Sequence, residues 1–437
     1  MKNIKFIKIV GLAFVLILSA CSLDEVADPN QPNISSVTDN PTEQTLNFLT
    51  QGLESKARSG LGGFITATGS IARELYSFNA SDPTTTATLI GKDGVTLTGS
   101  EPQLTGTLFA RYQAVKSADF ILDGLEGSPV SDTKKNGYRG VALTYRALML
   151  LDVLNLLGDN GVRIDISDPN NLGPFVSKSD GFTALRSMLD DGFTALQNAE
   201  FSFEFSTGFD GFDTPETFAQ FNRAVAARVA IHQEDYAAAL TLLDDSFLSL
   251  DGNDLGIGPK RVYAQGGTEL LNPIFKTPQQ SGDQFVVHNR FINDIQAGDT
   301  RINKFRLRDD PVARDGLNGT HEIDLYESAT SPIDHIRNEE LILIYAEANI
   351  QEGNLMDAES ALNIIRNAYG LGDYAGAVDE TGLTDEMLYN RSYSLWAEGH
   401  AMFDLRRYGR LNATFLPIDR AGDIVHTQFP IPPFEVQ

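Results

Sequence analysis

The chain has a single cysteine, Cys21. No disulfide can close within it, and no cysteine-rich zinc site can form. Tryptophan is as scarce, with Trp396 alone in 437 residues. Flanked by Leu395 and Ala397, it is expected to pack in the core, so no tryptophan platform for sugars is available. Positive charge is in short supply: 34 Lys and Arg stand against 59 Asp and Glu, a formal net charge of -25. Such a surface repels phosphate backbones and anionic headgroups, which argues against nucleic-acid binding and against electrostatic attachment to a membrane. Signatures of catalysis are missing as well. No two of the six histidines stand four apart, as a helical zinc pair requires. No serine has glycines two residues away on both sides. Gly91-Lys92 is followed by Asp93, which lacks the hydroxyl of a phosphate-binding loop. Gly60, Gly62 and Gly63 follow a helical pattern where a dinucleotide site needs a strand, and read as a turn. Acid pairs such as Asp190-Asp191, Asp244-Asp245, Asp309-Asp310 and Glu339-Glu340 read as solvated helix surface rather than a glycosidase dyad. The expectation is a chain without enzyme activity, cofactor or metal.

The N-terminal apolar run, Ile9 to Leu18, is too short to span a bilayer. Preceded by Lys2, Lys5 and Lys8, it fits a cleavable signal peptide over residues 1–20. It ends in Leu18-Ser19-Ala20-Cys21, which resembles the bacterial lipobox, with Cys21 as the acylated, palmitate-bearing residue. Several acyl chains on one residue would hold a protein at a membrane where one chain binds only marginally. Cleavage there removes three lysines and no acid, moving the net charge from -25 to -28. Residues 21–41 are rich in Asp, Asn, Pro and Ser and read as a lipidated tether. The acids in Ser22-Leu23-Asp24-Glu25 resemble a signal for display on the outward face of an outer membrane.

The remaining residues, 42–437, are expected to form one mainly α domain. Arg337 to Ile350 places Leu341, Ile344, Tyr345 and Ala348 on a helical face. Gly353-Asn354 breaks the pattern, and Leu355, Ala358, Leu362 and Ile365 resume it. Two helices joined so tightly pack antiparallel, and the offsets of Ala346, Gly353, Leu355, Ala358 and Leu362 match a tetratricopeptide repeat. Ala227, Tyr236, Ala239 and Leu243 repeat those offsets, with Glu234 in place of the turn glycine. The predicted architecture is a tetratricopeptide-like scaffold of helical hairpins, an α-α superhelix with long loop insertions. Further helices are predicted over 42–58, 107–125, 134–157, 180–199, 215–233 and 235–250, with a short one near 71–76. Binding loops are expected near 59–105, 201–213 and 251–337, where helical periodicity lapses.

A binding protein for neutral glycans needs aromatic faces under sugar C–H groups and Asn, Asp or Arg on hydroxyls. Three loop groups offer that mixture: Tyr76, Phe78, Asn79 and Asp82; Phe209, Asp210 and Phe212; and Tyr263 with Gln265. An aromatic tucked against its own scaffold is the competing reading for each.

The C-terminal third resembles the SusD/RagB family of outer-membrane nutrient-binding lipoproteins. The resemblance runs through Pro332-Ile333-Asp334-His335-Ile336-Arg337, Glu340-Leu341, Tyr345-Ala346-Glu347-Ala348 and Ala361-Leu362-Asn363-Ile364-Ile365-Arg366. It continues over Glu398 to Gly409 and closes at Phe429-Pro430-Ile431-Pro432. Tyr145-Arg146-Ala147 through Leu157-Gly158-Asp159 is similar to the family's central helix, and Asp299-Thr300-Arg301 to its short Asp-x-Arg loop. Asn390-Arg391-Ser392 departs from the usual Glu-Arg-Arg, and the short loop region prevents transfer of the family's ligand residues. The resemblance implies a surface lipoprotein that binds a glycan or related nutrient and delivers it to a SusC-like TonB-dependent transporter. A helical scaffold for protein partners and a glycan-cleaving enzyme are the alternatives. The charges Arg391, Glu398, Asp404, Arg406 and Arg407 stand at helical spacings and are expected to pair with each other and with the central helix.

Overall fold

The computed structural model describes residues 38–168, 170–267 and 269–435. The signal peptide, the lipobox and most of the tether lie outside them. The first helix, α1 (Glu43–Ala57), opens where the Thr42 side chain accepts from the Thr45 amide, and buries Leu46 and Leu53. A left-handed Gly60 then starts α2 (Leu61–Ile71). Next come α3 (Pro102–Gly127) and α4 (Asp132–Leu157), whose Ser131 cap accepts from the Lys134 amide. By length and composition α4 could cross a membrane, yet 83% of its most apolar window is buried inside the protein. It packs between α3 and α5 (Lys178–Leu196), which explains why its sequence is apolar nearly all round.

Two hairpins follow the tetratricopeptide pattern. In the first, α6 (Pro215–Gln233) and α7 (Tyr236–Asp244) are joined at Glu234, which adopts the left-handed conformation with φ of 63°. A side chain thus takes the backbone conformation that glycine would give freely. After α8 (Asn289–Asn293), the second hairpin pairs α9 (Asn338–Gln351) with α10 (Leu355–Ala368) through Gly353, φ 79°. Ala346 and Ala358 are fully buried, as a close crossing requires. Finally α11 (Glu380–Ser394) and α12 (Ala401–Arg407) lead to an extended tail. The protein is mainly α, a tetratricopeptide-like helical scaffold.

Three expectations are corrected. The segment near 71–76 is not a helix: α2 ends at Ile71 and Leu75–Asn79 forms strand β1. Gly62 and Gly63 are not a turn but the first turn of α2. The aperiodic stretch 251–337 contains strands. After the small pair β2 (Val162–Arg163) and β3 (Phe175–Val176) come β4 (Lys260–Arg261), β5 (Asp283–Val287), β6 (Phe305–Arg314), β7 (Leu317–Ile323) and β8 (Ile333–Asp334). Four of them make an antiparallel sheet in the order β1-β5-β7-β6. Its pattern was hidden because β6 carries Arg306, Arg308, Asp309 and Asp310 and slips register between Leu307 and Val312.

The C-terminal charges do pair. Asp404 accepts from Arg391 Nε at 2.7 Å and from Arg407 Nη2 at 2.7 Å, and Arg407 also binds Glu347. Glu398 takes Arg337 at 2.5 Å, while Arg406 donates to the Asn155 carbonyl of α4 at 2.9 Å. Trp396 is buried against Phe305, ring centroids 4.8 Å apart.

Candidate functional site: a polar cleft beside β1

The N-terminal turns of α2 and α3 meet the end of β1 and the segment 273–285 around an open cleft of about 290 Å3. Two glycines bring the walls together. A Cβ on Gly62 would stand 2.9 Å from Pro273 Cβ, and one on Gly63 would stand 3.3 Å from the Gln103 carbonyl. Bare backbone therefore lines one side.

The other side is made of polar side chains. Antiparallel pairing of β1 with β5 sets Asn79 opposite Asp283. Asn79 Oδ1 accepts from the Ser81 amide at 2.8 Å, which leaves its Nδ2 amide without a partner among the described residues. Asp82 caps the turn at Pro83–Thr85, accepting from the Thr84 amide at 3.0 Å, and its second oxygen receives Gln103 Nε2. Lys276 Nζ reaches Asp283 Oδ2 at 2.5 Å and lies 4.8 Å from the centre of the buried Phe285 ring. Ser77 and Thr66 complete the lining. Donors and acceptors thus stand together around a floor of backbone and one phenyl ring, an arrangement suited to hydroxyl groups.

Of the residues singled out in the sequence, Asn79 and Asp82 line this cleft and the others do not. Tyr76 and Phe78 belong to the same strand but turn into the sheet's own small core with Ile90, Val286 and Leu317. Tyr76 donates to Asp419 at 2.8 Å, and Asp419 also meets His288 at 2.8 Å and Arg73 at 2.9 Å. Burial alone would raise the Asp419 carboxyl, but His288, Tyr76 and Arg73 hold it below the usual range. Phe209 is fully buried, stacked 4.7 Å from Phe205 and surrounded by Phe218, Phe221 and His335. Phe212 packs on Phe247 at 4.9 Å, and Tyr263 is buried. Asp210 and Gln265 are exposed but away from the cleft. Burial thus removes all five candidate aromatics, Tyr76, Phe78, Phe209, Phe212 and Tyr263, from any solvent-facing surface. Sequence reasoning missed Gln103, Lys276 and Asp283, which reach the cleft only through strand pairing and helix crossing. Pro102 at the first position of α3 was the one local signal that a helix end lay there.

The C-terminal motifs that hold this frame together are shared with other proteins. The model of the SusD family matches residues 264–434. Over that stretch the chain is similar to the SusD family. Solved structures extend the likeness of fold over nearly the whole chain. A SusD superfamily protein from Bacteroides thetaiotaomicron VPI-5482 superposes with a TM-score of 0.68 at 15% identity, covering 90% of this chain and 97% of that one. A putative sugar binding protein from Bacteroides vulgatus ATCC 8482 gives 0.67 at 16%, covering 91% and 97%. Surface glycan-binding protein A from Bacteroides thetaiotaomicron, in complex with laminarihexaose, gives 0.64 at 15%, covering 90% and 97%. No curated protein matches the chain.

Proposed function

We propose that the cleft binds an oligosaccharide and that the protein is a nutrient-binding lipoprotein of an outer membrane. The observation that carries this reading is the set of Asn79, Asp82, Gln103, Lys276 and Asp283 gathered around exposed backbone. Such a set supplies both donors and acceptors to sugar hydroxyls. Surface glycan-binding protein A, a structural neighbour seen with laminarihexaose, supports the ligand class. Delivery to a SusC-like TonB-dependent transporter, with the protein held to the outer face by acylated Cys21, completes the proposal.

The combined change Gln103→Ala and Lys276→Ala tests it. A lost hydrogen bond to a charged group is worth roughly 1.5–3 kcal/mol, so calorimetric affinity for a saturating oligosaccharide should fall at least about tenfold. Lys276→Ala alone should leave the melting temperature unchanged, because its pair with Asp283 is partly exposed, so that single change separates lost binding from the stability cost of removing the buried Gln103 donor to Asp82. Unchanged affinity would move the ligand elsewhere. Cys21→Ala should give a folded protein that no longer fractionates with membranes; retention in the membrane pellet would remove the lipid anchor from the proposal.

A further inference from the structure

A second cavity lies inside the protein, between α2, α4, α6, the turn before α12 and the two-stranded ribbon of β4 and β8. The ribbon register pairs Arg261 with Ile333, and the His335 amide bonds the Pro259 carbonyl. Arg261, Ile333 and His335 therefore share one face of the ribbon, and all three line the cavity. Arg261 is 7% exposed and His335 4%.

The ion pairs around this cavity leave Arg261 out. Asp152 is tied to Arg111 at 2.7 Å, Arg228 to Glu340 at 2.6 Å and Glu398 to Arg337 at 2.5 Å; Asp334 is tied to Lys260. Arg261 has no carboxylate within 4 Å among the described residues. It donates one Nη1 bond to the Asp334 carbonyl, and its Nε has no partner. His335 Nδ1 is likewise buried without a partner. Burial first, and then the charges of Arg261, Arg228 and Arg111, keep the His335 ring neutral. His232 is kept neutral by burial first and then by Arg407, and His400 is pushed down to about 4 by burial although Glu340 opposes it. Facing the cavity are the Arg261 guanidinium, the unpartnered His335 Nδ1, and the carboxylates of Asp152, Asp334 and Glu398, each already paired with a cation. A buried, unpaired charge is costly unless something of opposite sign meets it.

We infer that this cavity is a binding site for a small monovalent inorganic anion, of chloride size, held by Arg261 and His335. Its volume of about 40 Å3 admits one such ion; a water needs roughly 10–15 Å3 on the same measure. A dianion or a carboxylate-bearing metabolite would be too large, and Asp152 and Glu398 in the lining exclude a second negative charge. The ion would tie the β4–β8 ribbon to α4 and α6, the junction of the helical frame and the inserted strands.

The test uses the soluble chain and halides. At constant ionic strength, replacing gluconate by chloride should raise the melting temperature saturably, on the order of a few degrees. Arg261→Met should abolish that dependence. Crystals of the unaltered protein grown in bromide should show an anomalous peak beside Arg261 and His335. Absence of the peak overturns the inference whatever the melting curves do, and leaves ordered water in the cavity. A folded Arg261→Met protein that keeps its chloride response overturns it too. Should that variant fail to fold, the bromide experiment on the unaltered protein still decides.

Discussion

Asp404→Ala should lower the stability of the folded chain by ~3–5 kcal/mol, the usual cost of breaking a buried ion pair by removing one partner. The carboxylate is 3% exposed and receives Arg391 Nε at 2.7 Å, Arg391 Nη2 at 3.1 Å and Arg407 Nη2 at 2.7 Å. Burial would raise its pKa, but Arg391 and Arg407 overcome that and hold it well below the carboxylate range. Removing it leaves Arg391, whose other acidic neighbour Glu347 is 4.0 Å away, as a desolvated cation. It also frees Arg407 to rest on Glu347 alone. The change therefore strikes α11, α12 and α9 together. Denaturant unfolding at pH 7 should show a lower midpoint with the slope retained, since the surface exposed on unfolding is unchanged. Asp404→Asn should cost nearly as much, because the amide fills the space but cannot neutralise two guanidiniums. A shift below about 1 kcal/mol would place Asp404 with ordinary surface pairs and sink the argument.

That network was readable before any coordinates, and the reason is local. Arg391, Asp404, Arg406 and Arg407 sit on adjoining short helices, so helical spacing alone brings charges of both signs onto facing sides. The α9–α10 hairpin was readable for the same reason: its apolar period, Gly353 and its two small alanines lie within one stretch of chain. What escaped is non-local. Leu75–Asn79 is a five-residue mixture of apolar and polar residues whose partner strand begins at Asp283, and nothing nearby distinguishes it from a turn of helix. Hence Tyr76 faced the wrong way in the sequence reading, and Lys276 and Asp283 were invisible. The aromatic segment 201–212 misled differently. Phe201, Phe203, Phe205, Phe209 and Phe212 stand among polar residues, as a binding loop would, yet Phe201, Phe203, Phe205 and Phe209 stack on one another and on Phe218. Phe212 instead caps Phe247. Aromatic rings among polar residues mark a sugar site only when the helices leave them uncovered; here they do not.

Glu74 sets the largest expected pH effect. It is buried where β1 begins: its Oε1 accepts from the Ala397 amide at 3.3 Å and its Oε2 has no partner. Burial pushes its pKa up to about 8, with Arg290 opposing. An acid whose folded pKa lies above its unfolded value, 4.5, keeps a proton when folded that it releases when unfolded. Its contribution is therefore fully present below 4.5 and is lost as pH rises toward 8. Glu340 works the other way. Arg228 and His400 overcome burial to bring it to about 2, so its contribution holds above 4.5 and is lost as pH falls toward 2. His400, pushed down to about 4, adds to the acid side, since it must take up a proton on unfolding below 6.5. Glu74→Gln should leave the acid side untouched and flatten the alkaline one. Near pH 5 the variant and the parent should unfold at similar denaturant concentrations, because both carry an uncharged group. By pH 8.5 the variant should be the more stable by a few kcal/mol, at ~1.4 kcal/mol for each pH unit of the window. Two parallel curves between pH 5 and 9 would mean that Glu74 is already ionised in the folded protein, with Arg290 beside it as a true partner.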